Sequence, residues 1–177
     1  MSTETKSPGT VSEVADGSYG WIDLDNIKTD DNNAGAANVG SSVGGTEDSI
    51  VKIIKSNGDL GSTNKAKDDW QSSKATSTYG GSEDLWDETW SATDINNSNF
   101  GVALKVDFYD DYEWTNTRTI KATNFGFEIP SGATINGIEV TIKKSCDGEF
   151  RAYIYYIEIT IHYELSKTGP FPTFFRQ

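Results

Sequence analysis

The chain has 177 residues, and 27 acidic against 15 basic side chains leave it at a net charge of −12, which disfavours contact with nucleic acid phosphates and suits docking on a basic partner. A single cysteine, Cys146, excludes an internal disulfide or a metal site built on several thiols, and no run approaches the ~18 apolar residues of a membrane span. Eight Tyr, eight Phe and five Trp beside abundant Gly, Ser, Thr and Asn favour strands over long helices.

In chain order, residues 1–10 (MSTETKSPGT) read as a flexible N-terminal arm without the apolar segment of a signal peptide, so synthesis in a cytoplasm is expected. Residues 11–165 read as one β-sandwich domain, large enough for a real core. A short strand is expected around Trp21, followed by a polar Asp/Asn/Gly loop to residue 40. SIVKIIK (49–55) is a strand, and SNGD after it is a turn with Asn57-Gly58 at the tip. Residues 61–99, centred on TYGGSEDLWDETW, read as a long polar loop. ATDINNSNF stays within it, because Ile95 is nearly its only apolar residue, although Asp94 is placed to cap one helical turn.

The second half carries period-two patterns. Phe100, Val102, Leu104, Val106 and Phe108 share one face, and Phe125, Phe127 and Ile129 repeat the arrangement. Ile138, Val140 and Ile142 face inward against Glu139, Thr141 and Lys143. The last strand puts Tyr153, Tyr155, Ile157, Ile159, Ile161 and Tyr163 on one side. Antiparallel strands without intervening helices predict an all-β, jelly-roll-like antiparallel sandwich. Residues 166–177 break the pattern: Pro170 and Pro172 forbid a central strand, and Phe171, Phe174, Phe175 and Arg176 suit an extended tail that docks on a neighbour. Asn-Phe-Gly occurs at 99–101 and again at 124–126, and both copies read as strand starts.

Residues able to carry chemistry are few. His162 lies on the polar face of a strand, Cys146 sits near a turn, and no phosphate-cradling glycine motif is present. Glu83, Asp84, Asp87, Glu88 and Asp94 crowd one segment. A glycosidase pair is defined by separation in space, so a solvated acidic loop is the favoured reading. The same carboxylates, with Asp30 and Asp31, offer oxygen ligands for Ca²⁺ but lack EF-hand spacing. Trp86, Trp90 and Trp114 are candidates for stacking on sugar rings; the competing reading has Trp86 and Trp90 folding back with Leu85 and Ile95 to plug the sandwich.

YGGSEDLWDETWSATDINNSNFGVAL, IKATNFGFEIPSGATINGIEVTIKK and the closing YIYYIEITIHYE resemble a β-sandwich domain of tailed-bacteriophage virion structural proteins. The resemblance covers most of residues 19–164, with IPSGATI its most specific part. In that group the segment like 120–144 usually precedes those like 49–55 and YGG-DLW, whereas here it follows both. A shifted strand pair, or exchange between subunits, would account for the change. The resemblance implies a non-enzymatic particle protein without cofactor, in particular a capsid decoration or cement protein bound to a major capsid or other virion protein. It also implies a homo-oligomer, trimers being common among such proteins. A carbohydrate- or host-surface-binding module of a tail or fibre is the alternative.

Overall fold

The computed structural model describes residues 1–38, 45–67, 70–109, 114–147 and 151–166. Its strands are β1 (Ser2–Lys6), β2 (Thr10–Val14), β3 (Trp21–Ile22), β4 (Gly35–Asn38), β5 (Gly45–Ile54), β6 (Ala75–Gly80), β7 (Gly101–Tyr109), β8 (Trp114–Asn116), β9 (Thr119–Thr123), β10 (Thr134–Cys146) and β11 (Arg151–Glu164). A 3₁₀ turn at Leu24–Lys28 and one helical turn, α1 (Ala92–Ile95), interrupt them.

Two antiparallel sheets pack face to face. One runs β3-β4-β11-β10-β6, with β1 also on β11; the other runs β2-β9-β7-β5, with β8 also on β7. Successive strands cross repeatedly between the sheets, and together they make the all-β antiparallel sandwich expected. Val102, Leu104, Val106 and Phe108 of β7 meet Ile138, Val140 and Ile142 of β10 and Ile157, Ile159 and Ile161 of β11, all fully buried. Each such side chain contributes about 1.5–3 kcal/mol by leaving water. The ladders of β9 and β10 close within the chain, so the shifted segment order needs no exchange between subunits.

Three β-bulges decide which side chains face inward. On β10 the register slips between Ile135 and Gly137, so Ile135 and Ile138 both reach the core despite opposite parity. On β11 an extra residue, Tyr155, opposes the Lys143/Lys144 step. Ala152 and Ile154 therefore point inward before it, and Ile157, Ile159 and Ile161 after it. This corrects the single face expected for the last strand: Tyr153 and Tyr155 stack on each other, centroids 6.4 Å apart, outside the core cluster. On β5 the slip between Asp48 and Ile50 turns Asp48 inward, with Val51 and Ile53 beyond it.

Other expectations are also corrected. The first ten residues are not a free arm: β1 adds to β11, Ser2 opposite Tyr163 through Lys6 opposite Ile159, and Thr5 and Thr160 hydroxyls meet at 2.8 Å. Its polar side chains gave no burial signal because the pairing rests on backbone hydrogen bonds. The loop expected from Trp21 to residue 40 contains the 3₁₀ turn and β4. The polar stretch 61–99 holds β6 and α1, where Ser91 and Asp94 form a reciprocal capping box.

The second Asn-Phe-Gly does not start a strand. It follows β9, with Asn124 at φ 57° and Gly126 at φ 68°, and residues 124–130 are irregular. Phe125, Phe127 and Ile129 are nevertheless buried. The two copies lie side by side, since Gly101 pairs with Thr123. A Cβ on Gly101 would sit 2.0 Å from the carbonyl oxygen of Ala122, so glycine is required for this approach. Phe100 meets Phe127 edge-on at 6.0 Å and Trp90 at 5.5 Å. Phe100→Ala is expected to lower the unfolding free energy by about 3–5 kcal/mol in urea denaturation, because this fully buried ring packs against both of the others.

Candidate functional site

The segment between β6 and β7 folds over one end of the sandwich, and its shape begins at Gly80. Gly80 has φ 77°, and a Cβ there would lie 2.2 Å from Ile138 O and 2.6 Å from Trp86 Nε1. The Trp86 indole thus lies directly against the backbone and donates to Ile138 O at 2.9 Å. Trp86 and Asp87 both adopt left-handed backbone, φ 58° and 56°, a conformation that costs non-glycine residues energy. Trp86 is 1 % exposed, so its ring cannot stack on a ligand. It plugs the end of the sandwich with Ile95, and Leu85 and Trp90 pack beside it. These residues belong to the one main core, not to a satellite cluster.

The crowded carboxylates are held apart by separate partners. Asp84 accepts from Trp86 N–H at 2.9 Å and pairs with Lys65 at 2.8 Å. Asp87 accepts from the Thr63 hydroxyl at 2.6 Å, and Glu88 lies 3.7 Å from Lys55. Asp94 accepts from Ser91 Oγ at 2.6 Å and Ser56 Oγ at 2.8 Å. Burial works against ionising Asp84, but the hydrogen bonds and charge of Lys65 and the Trp86 N–H outweigh it and hold its carboxyl below the usual range. Hydrogen bonds from Ser91, opposed by burial and aided by Ser56, do the same for Asp94. Asp30 pairs with Lys143 at 2.9 Å, and Asp31 accepts from Asn33 N–H at 3.0 Å. Among the described residues no group of three His, Cys, Asp or Glu is placed to share a metal ion.

Trp90 is partly buried against the core. Its indole N–H donates to Leu85 O at 2.9 Å, and its ring borders a cleft of about 430 Å³ whose other walls include Ala92, Gly132, Ala133 and Ile135. The walls come from the α1 loop and the IPSGATI turn, so two separated sequence phrases meet here. Ser166 Oγ donates to Gly132 O, which places the exit of the last strand beside this cleft. Met1 and Leu165 are exposed close by.

Trp114 lies elsewhere. It is 52 % exposed on β8 and packs on Tyr109 at 5.2 Å. Tyr109 closes the far end of β7, roughly 26 Å from Gly101 at ~3.3 Å per residue. The three tryptophans therefore do not form one groove. Phe171, Phe174, Phe175 and Arg176 lie outside the described residues. His162 stands between Thr3 and Gly137 on neighbouring strands, and Cys146 is half-buried beside the backbone of Gln71.

A second constellation escaped the sequence reading. Lys144 Nζ lies 2.9 and 3.0 Å from the two carboxylate oxygens of Asp48 and donates to Tyr79 OH at 2.7 Å. Tyr79 OH donates to Asp48 Oδ2 at 2.6 Å, and Trp70 Nε1 to Asp48 Oδ1 at 2.8 Å. The ionic side chains are 1 % and 0 % exposed. Lys144 shares parity with Ile138, Val140 and Ile142, which was an available signal; the inward turn of Asp48 depends on a bulge that composition does not announce.

No protein-family model matches the chain, and no curated protein or solved structure matches it either.

The Asp94 carboxyl titrates lower folded than unfolded, so its stabilising effect is complete above the ordinary aspartate range, about 3.9, and is lost as pH falls through the folded value. Ser91→Ala is expected to return that titration toward the ordinary range in carboxyl NMR and to cost about 1 kcal/mol of stability at neutral pH.

Proposed function

We propose that this chain is a non-enzymatic structural protein of a tailed-bacteriophage particle, a decoration or cement protein that binds the assembled shell. The observation that supports this most is the clustering of Met1, Leu165, Ser166, the IPSGATI turn and the Trp90 cleft at one end of a sandwich. A segment rich in phenylalanine, residues 166–177, follows from that end. The phenylalanines of that segment are side chains of the kind that supply contact energy at a neighbouring subunit, and the charge of −12 suits a basic shell surface. The sequence resemblance to virion sandwich domains supports the same reading. Its partner is a major capsid or other virion protein, its setting the particle after synthesis in the host cytoplasm, and its expected form a homo-oligomer. Removing residues 166–177 is expected to abolish recovery of the protein with particles banded on a density gradient. Undiminished recovery of the truncated chain overturns the reading.

The partly buried Trp90 ring at the edge of a cleft favours a second reading, a carbohydrate-binding surface on a tail or fibre, because an indole that borders a cleft beside small side chains can stack on a sugar ring. Under it, glycan-array binding is expected from the intact protein and at least tenfold weaker binding from Trp90→Ala. Trp86→Phe leaves that contact in place.

A further inference from the structure

We propose that Lys144 and Asp48 condense to an intramolecular isopeptide bond, a covalent tie between the two sheets. This inference stands independently of the virion reading. Lys144 belongs to β10 of one sheet and Asp48 to β5 of the other, and 96 residues of chain separate them.

Three features carry the proposal. First, Nζ touches both oxygens of the acid it would acylate, at 2.9 and 3.0 Å, and two bulged strands within one core fix the pair. Such holding converts an encounter between amine and acid into an intramolecular step, the source of very large effective molarities. Second, the Tyr79 phenol lies 2.7 Å from Nζ and 2.6 Å from Oδ2, so one hydroxyl bridges the nucleophile and the oxygen that must leave. Third, the pair is closed from water, with Trp70 and Tyr79 rings 4.8 and 5.4 Å from Nζ. Two buried ions carry a heavy desolvation cost, and their amide product carries no charge, so burial itself drives condensation and denies water to the reverse step.

The step balances without a co-reactant. The ammonium gives one proton to the carboxylate, leaving amine and neutral acid. Rotation about the Asp48 Cβ–Cγ bond presents the carbonyl face to Nζ. The nitrogen lone pair forms the N–Cγ bond, and Tyr79 passes the second nitrogen proton to the departing oxygen. The Cγ–O bond breaks and one water leaves. Tyr79 thus positions the reacting groups and relays a proton, without itself being consumed.

Intact-mass spectrometry of the purified full chain, aged at neutral pH, tests this. The expected mass is one water below that of the sequence, and proteolysis should yield a branched peptide joining positions 48 and 144. Lys144→Arg should keep the full mass, and Tyr79→Phe should lose water about 10²-fold more slowly or worse. A wild-type chain that keeps its full mass, or a lost water mapped to any other position, overturns the proposal. Loss of water at an unchanged rate in Tyr79→Phe overturns the relay.

Discussion

Lys144 and Asp48 face each other across the interior, and the sandwich has to be assembled correctly around them before either is satisfied. A buried ion without its partner destabilises by several kcal/mol, about 3–5 when one member is removed. Packings in which β5 or β10 slips by one residue would leave both charges stranded. The pair therefore acts as a register lock: it adds little net attraction over an apolar pair of equal size but strongly disfavours misaligned sheets. Trp70 and Tyr79 complete it, with hydrogen bonds at 2.8 and 2.6 Å to the same carboxylate. Through Tyr79 the lock reaches β6, whose next residue, Gly80, supports the Trp86 plug.

The bulges link that lock to the apolar core. Two strands depart from strict alternation near the site: β5, which carries Asp48, at Ser49, and β11, which neighbours β10, at Tyr155 opposite Lys143 and Lys144. Each extra residue reverses parity, so an ion stands in line with isoleucines on one strand and a tyrosine stands outside on the next. This is also where period-two reading of the sequence breaks down. The faces of FGVALKVDF and GIEVTIKK were legible because alternation runs uninterrupted there. Tyr153 and Tyr155 were not, because the count runs through an unannounced bulge.

Polar elements were illegible for a different reason. β1 (STETK) and β4 (GAAN) bury little apolar surface of their own, β6 (ATSTYG) offers Tyr79 as its one large buried side chain, and backbone ladders to stronger neighbours help hold all three in place. Sequence patterning reports side-chain burial, so strands recruited through backbone hydrogen bonds leave almost no trace. The capping box at Ser91 was legible in part, since Asp94 stood out as a cap while the helical turn it closes did not. At the loop end, the acidic cluster announced charge correctly but not its use, because Lys65, Thr63, Lys55 and Ser56 lie far from it along the chain. The twin Asn-Phe-Gly phrases were visible as words, and their contact across β7 and β9 was not.

The antiparallel pairing of β1 with β11 sets how the domain bears load. Ser2 sits opposite Tyr163, so the two strand ends emerge together from the same end of the sheet. Pulling them apart opens the ladder like a zipper, one perpendicular hydrogen bond after another, instead of straining all of them at once in shear. β1 is thus the mechanical fuse of the fold. Tension between the two ends acts on the five residues of β1 and on the facing end of the β10–β11 ladder, where Thr134 lies opposite Glu164, while Lys144 and Asp48 clasp β10 and β5 toward the other end of that ladder.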